Sequence, residues 1–124
     1  MRTVVAVALA GAVGALARWG VGAWFGHRFP SFPWGTMFIN VSGSFILGVM
    51  FAVLVERNVG SPTIRVALMT GLMGAYTTFS TFSLETFRLF EDGAMGSALA
   101  NIGFSVGLGL LGVWLGVAAG RAVA

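Results

Sequence analysis

Four stretches, each of roughly twenty or more mostly apolar residues, follow one another along this chain with only short polar breaks between them. About 20 such residues are what a helix needs to cross the hydrocarbon core of a bilayer. The first stretch runs from Thr3 to Phe25, and His27, Arg28, Pro30 and Pro33 break it. The second runs from Trp34 to Val55 and ends at Glu56-Arg57-Asn58, with Gly60, Ser61 and Pro62 making the turn. The third runs from Thr63 to Phe90 and is closed by Glu91-Asp92-Gly93; the fourth runs from Ala94 to Gly120, before Arg121. The expectation is an all-α membrane protein, residues 1–124 forming one domain of four transmembrane helices.

Composition supports lipid as the solvent. Only 9% of residues are charged and 57% are hydrophobic, whereas a soluble domain carries about 25% charged residues. No cysteine is present, so disulfides, thiolate chemistry and cysteine metal sites are excluded. The single histidine, His27, falls in the first break, which argues against a zinc or iron centre. The net charge of +3 comes from arginines spread over several loops. It reads as headgroup contact, and no basic stripe suggests a nucleic acid. Arg2 and the run to Ala15-Leu16-Ala17 have the outline of a cleavable signal sequence. Three further spans make this a membrane protein either way.

Four crossings put both ends of the chain on one side. Arg2, Arg57, Arg65 and Arg121 lie on that side, against Arg28, Arg88 and a snorkelling Arg18 on the other. That is a weak positive-inside bias. A chain with so little bias can insert both ways up, which makes an antiparallel homodimer possible. Close packing is signalled by small residues four apart: Ala6, Ala10 and Gly14; Gly22 and Gly26; Gly103 and Gly107; Gly112, Gly116 and Gly120.

Polar groups inside a span are costly without partners or water, so their positions carry information. Thr36, Asn40 and Ser44 recur at i, i+4, i+8 in the second span, and Ser97, Asn101 and Ser105 do so in the fourth. Each set shares one helix face. Interhelical hydrogen bonding and a polar ion path both account for such lines. The third span contains Gly71, Gly74 and then five hydroxyl residues in the seven positions from Thr77 to Ser83. Glycine and threonine are poor helix formers, and hydroxyls compete for backbone bonds. A helix break is predicted between Gly74 and Thr78. At membrane depth a break must be buried by protein or line a cavity, and its freed carbonyls suit a cation. Phe79 and Phe82, three apart, share a face just after it. Their positive ring edges could favour a small anion without a fixed charge. Arg18 and Glu85 are the charges nearest the span interiors. Arg18 is expected to snorkel and orient, and Glu85 to pair with Arg88 one turn on.

Three motifs in order resemble the CrcB/Fluc family of fluoride channels, over essentially the whole chain. They are Gly11-x-x-Gly14-Ala15-x-x-Arg18-Trp19, Gly35-Thr36-x-x-x-Asn40-x-x-Gly43-x-Phe45-x-x-Gly48, and Gly71-x-x-Gly74-x-x-Thr77-Thr78-Phe79-Ser80-Thr81-Phe82-Ser83. The resemblance implies a dual-topology antiparallel homodimer with two fluoride pores, in a bacterial inner or plasma membrane, passively exporting fluoride. It maps the fluoride-contacting asparagine to Asn40, the pore phenylalanines to Phe79 and Phe82, the polar track to Ser80 and Thr81, and a fourth-helix serine to Ser105. It also implies a central structural sodium ion held by backbone carbonyls, which the motif assigns to Gly74 and Thr77. One departure is visible: Asn101 stands where many relatives have tyrosine.

Other classes fit less well. A proton-coupled drug exporter needs a membrane-embedded carboxylate, and the first span has none. A glycine-held scaffold explains the packing but not the polar lines. An enzyme would need a nucleophile–base pair or metal cluster that the sequence does not offer.

Overall fold

A computed structural model describes residues 1–123, and among them all regular structure is helical. Helix α1 spans Arg2–Arg28. Helix α2 spans Trp34–Met50 and runs on as a π-helical stretch, Phe51–Glu56. Helix α3, Pro62–Val66, runs into a second π-helical stretch, Ala67–Met73, and then a single turn, α4, at Gly74–Tyr76. After Thr77 and Thr78 the chain resumes as α5, Phe79–Glu91, and ends in α6, Met95–Ala122.

Arg2–Arg28, Trp34–Glu56 and Met95–Ala122 are each long and apolar enough to cross a membrane. This makes the chain a multi-pass membrane protein. The Pro62–Glu91 stretch is split at Thr77–Thr78, and no uninterrupted helix in it reaches that length. The predicted break is therefore present but narrower than expected. Gly74 is helical, at φ −61° and ψ −37°. Only Thr77 (φ −81°, ψ 158°) and Thr78 (φ −152°, ψ 112°) are extended.

The first span is longer than expected. His27 and Arg28 form the last turn of α1 and lie in no loop. A positive side chain such as Arg28 is favourable at a helix C-terminus, which helps extend α1 through this turn. Between α2 and α3, Ser61 accepts a bond from the Ile64 N–H with Pro62 in the first helical turn. The Arg65 guanidinium donates to the Val59 and Gly60 carbonyls and to Asn58 Oδ1 at 3.2, 2.9 and 2.6 Å. One arginine thus satisfies a turn that bends through positive φ at Asn58 and Gly60.

Two seams of bare backbone hold the protomer together. Along α2 and α6, a methyl at Gly112 would lie 3.1 Å from the Val41 carbonyl oxygen. One at Gly120 would lie 3.0 Å from that of Val49, and one at Gly116 would collide with the Phe45 carbonyl. Along α1 and the second π stretch, Gly14 abuts Leu72, and a methyl at Gly71 would lie 2.9 Å from the Val7 carbonyl oxygen. The small-residue series at Gly14 and at Gly112, Gly116 and Gly120 is packing. Gly26, Gly103 and Gly107 have open space beside them within this protomer. The central apolar cluster, Ile39, Met73 and Tyr76 with Val21, Leu47, Met50 and Leu72, packs directly beneath the break.

Candidate functional site

A two-residue interruption in a membrane helix removes backbone bonds that must be replaced. Asn40 replaces two of them. Its Nδ2 donates to the Thr78 carbonyl at 2.9 Å, and its Oδ1 accepts from the Thr78 N–H at 2.7 Å. The α5 helix then starts from Thr78, whose Oγ1 accepts from the Thr81 N–H at 3.2 Å. Threonine is a good N-cap for this reason. The hydroxyl donates in turn to Thr81 Oγ1 at 3.0 Å. On the other side, Thr77 Oγ1 donates back to the Met73 carbonyl at 2.9 Å.

The break leaves a run of carbonyls from Gly74 to Thr77 without helical donors. The Thr78 N–H bonds Asn40, so it does not close a helical bond onto the Gly74 carbonyl. The Thr81 N–H bonds the Thr78 side chain, so it does not close one onto the Thr77 carbonyl. Carbonyl oxygens with no helical donor are the kind of ligand a hard monovalent cation takes.

The break lies against α2 because position 43 is glycine. A methyl at Gly43 would run into Thr77 Cγ2 and sit 3.2 Å from the Tyr76 ring. Tyr76 is pinned as well: its hydroxyl lies 2.9 Å from Ser42 Oγ. Ser42 gives its own proton to the Ile39 carbonyl at 3.2 Å, so Tyr76 is the donor in this pair.

Two pockets flank the break, and Thr78 lines both. One, of about 270 Å³, brings together Asn40, Ser44, Thr77, Phe79, Phe82 and Ser105. The Phe79 and Phe82 ring centroids are 5.8 Å apart and tilted 47° to each other. Asn40 has a second N–H beyond the one it gives Thr78, since a carboxamide carries two donors. The other pocket, of about 370 Å³, is lined by Arg18, Thr36, Thr81 and Glu85 among others. Thr81 therefore belongs with Arg18, away from the phenylalanines. Ser80 is exposed and lines neither pocket; its hydroxyl lies 3.5 Å from that of Thr78. A larger groove of about 680 Å³ between α2 and α6 is almost wholly apolar, lined by Phe38, Phe45, Leu111 and similar residues.

The expected Glu85–Arg88 pair is absent. Glu85 Oε1 accepts from Thr36 Oγ1 at 2.7 Å, and its Oε2 is buried without a protein partner. Glu85 turns inward toward α2, and helical spacing alone does not decide between a neighbour on the same helix and one on another. Among the described residues the ion pair is Arg121 with Glu56, which closes the far end of the α2–α6 seam.

Both polar lines make contacts across helices. Thr36 and Asn40 bond to α5 and to its N-cap. Ser44 folds back on the Asn40 carbonyl at 2.7 Å. In α6, Asn101 donates to Thr86 Oγ1 at 2.9 Å, and Ser105 donates to Asn101 Oδ1 at 3.2 Å. Sequence reading placed Thr78 at the break without its bonds to Asn40 and Thr81, and passed over Thr86. The signal for Thr78 was a hydroxyl residue three before Thr81 at a helix start; Thr86 carried none.

The fold and this break define a class: a multi-pass helical membrane protein whose interior site is built from uncharged polar groups and aromatic rings. Its relatives narrow that class. The family described as "CrcB-like protein, Camphor Resistance (CrcB)" matches residues 5–117. The chain is 49% identical to the "Fluoride-specific ion channel FluC" of Acidobacterium capsulatum, over 94% of each chain. It is 45% identical to the protein of that name from Rhizobium meliloti, over 99% of each, and 44% identical to that of Geobacter sulfurreducens, over 98% of each. The chain belongs to the CrcB family.

Proposed function

We propose that this protein is a fluoride-selective channel, not an enzyme, and that it conducts passively as an antiparallel homodimer with two pores. The observation that carries this reading is the pocket where Asn40, Ser105, Phe79 and Phe82 meet beside the break, in a chain that matches fluoride-specific channels from end to end. Fluoride is small and strongly hydrated, so a nearly dry path must replace its water. The spare Asn40 N–H and the pocket hydroxyls are neutral donors, and the ring edges of Phe79 and Phe82 carry partial positive charge. A full positive charge there would hold the ion too tightly for release.

A second copy completes the path. Phe79 is 79% exposed on the protomer, so one chain does not enclose its own pocket. In the dimer the broken Pro62–Glu91 stretch serves as the remaining crossing. The Gly74 and Thr77 carbonyls are the groups to hold a structural sodium ion where two breaks meet, and such an ion supplies fixed charge that keeps two like-oriented helix breaks together. Arg18 orients the second pocket, and Ser80 and Thr81 belong to the polar approach. The role is export of toxic fluoride across a bacterial inner or plasma membrane. Fluoride release from vesicles holding purified protein, beside chloride controls, tests the reading. Release no faster than from empty vesicles would overturn it.

A further inference from the structure

Asn101 is 1% exposed, and no larger side chain in the described protomer is so completely buried. A carboxamide in a membrane helix is costly unless its groups are bonded. The protons of its network run in one direction. Ser105 donates to Asn101 Oδ1, Asn101 Nδ2 donates to Thr86 Oγ1, and Thr86 donates to the Phe82 carbonyl at 2.7 Å. The chain thus connects a hydroxyl in the wall of the Asn40 pocket to the backbone of a phenylalanine in that same wall.

Its first link is the weak one. Hydroxyl-to-oxygen bonds usually measure about 2.5–3.0 Å, and the Ser105–Asn101 bond is 3.2 Å. In this arrangement Ser105 spends its only proton on Asn101 and has none for the pocket. A second arrangement satisfies the same groups. If the carboxamide turns over, Nδ2 donates to Ser105 Oγ, and Oδ1 accepts the Thr86 proton. The Phe82 carbonyl keeps the helical N–H bond from Thr86. Ser105 is then free to donate into the pocket. No proton changes its atom, and the proton Ser105 releases is the one offered to the anion.

We propose that Asn101 is a positioning residue for the anion: turning its carboxamide converts Ser105 from a committed hydroxyl into a hydrogen-bond donor when a halide enters the pocket. Thr86 is the counterweight that accepts or supplies the bond at the far end. This rests on reading the Asn40 pocket as part of the anion path.

The test is a set of substitutions in reconstituted vesicles. Wild-type protein must first release fluoride; failure there removes the channel reading itself. Thr86 lines a different pocket from Asn40 and Ser105, the two pockets sharing Phe82 and Val106, and the Ser105→Ala background separates its route through Asn101 from one through Phe82. Thr86→Val should slow fluoride release about tenfold, the scale of one lost hydrogen bond, while Thr86→Ser, which keeps the hydroxyl, restores it. In a Ser105→Ala background Thr86→Val should cause no further loss. Losses that multiply, or an unchanged rate in Thr86→Val, would overturn the proposal. If Thr86→Val fails to fold, wild-type protein with isotope-labelled asparagine decides by infrared spectroscopy. Replacing chloride by fluoride should shift two side-chain carbonyl bands, from Asn40 and Asn101, and only the second shift should vanish in Ser105→Ala. No Asn101 shift in wild type would overturn the assignment.

Discussion

The Asn40 carboxamide engages both backbone groups of Thr78, accepting from its N–H and donating to its carbonyl. A side chain of α2 thus does the work of the missing turn in the next pass. Asn40→Asp keeps the acceptor but sets a carboxylate oxygen against the Thr78 carbonyl and a negative charge beside the pocket. Fluoride flux should be lost. Asn40→Ala orphans both Thr78 groups, at about 1–3 kcal/mol for each one left unpaired. Its unfolding temperature should drop with its flux. A current unchanged in Asn40→Asp would remove this residue from the ion path.

Phe79 projects from the protomer with 79% of its surface exposed, its ring 5.8 Å from that of Phe82. Phe79→Ile therefore removes a ring edge without opening a core cavity. Flux should fall sharply while the dimer still forms on size exclusion. Normal flux would take the ring out of the mechanism.

Gly43→Ala and Gly103→Ala separate the two kinds of glycine. The first drives a methyl into Thr77 and Tyr76, and the second meets open space. Overpacking of this kind costs about 1–3 kcal/mol, so Gly43→Ala should lower thermal stability and disturb the break. Gly103→Ala should leave monomer packing intact. Any loss it causes should appear in dimer assembly, read by size exclusion in detergent.

Sodium dependence should follow from the carbonyls freed at Gly74 and Thr77. Purification in a large organic cation in place of sodium should reduce the dimer fraction and lower its unfolding temperature, with recovery when sodium is returned. Indifference to sodium in both measurements would dissociate the break from cation binding.

The membrane class was legible because length and hydropathy are local properties of each stretch. The break was legible in kind, since Gly74 and the hydroxyl cluster weaken a helix wherever they occur. Its limits were not, because they are set by Asn40, whose partner Thr78 lies 38 positions away. Glu85 shows the same boundary. Its neighbour at helical spacing, Arg88, was visible, but Thr36, 49 positions distant, is what it bonds. Periodicity placed Thr36 and Asn40 on one face, and Asn101 and Ser105 on another. It could not say which helix each face would meet. His27 was misplaced because a polar His27-Arg28 pair before a proline looks like a boundary, whereas the positive Arg28 is favoured at a helix end.

The seam between α2 and α6 has a consequence for motion. Gly112, Gly116 and Gly120 meet α2 backbone carbonyls one turn apart, so a slip short of a full turn would set Cβ-bearing neighbours against those carbonyls. Asn40 stands on one rod and Ser105 on the other, at a spacing the seam fixes. Any gate in such a body must be made of turning amides, hydroxyls and rings rather than moving helices. The path should therefore respond to its ion through side-chain rotation, without the slow domain motions of a transporter that rocks open and shut.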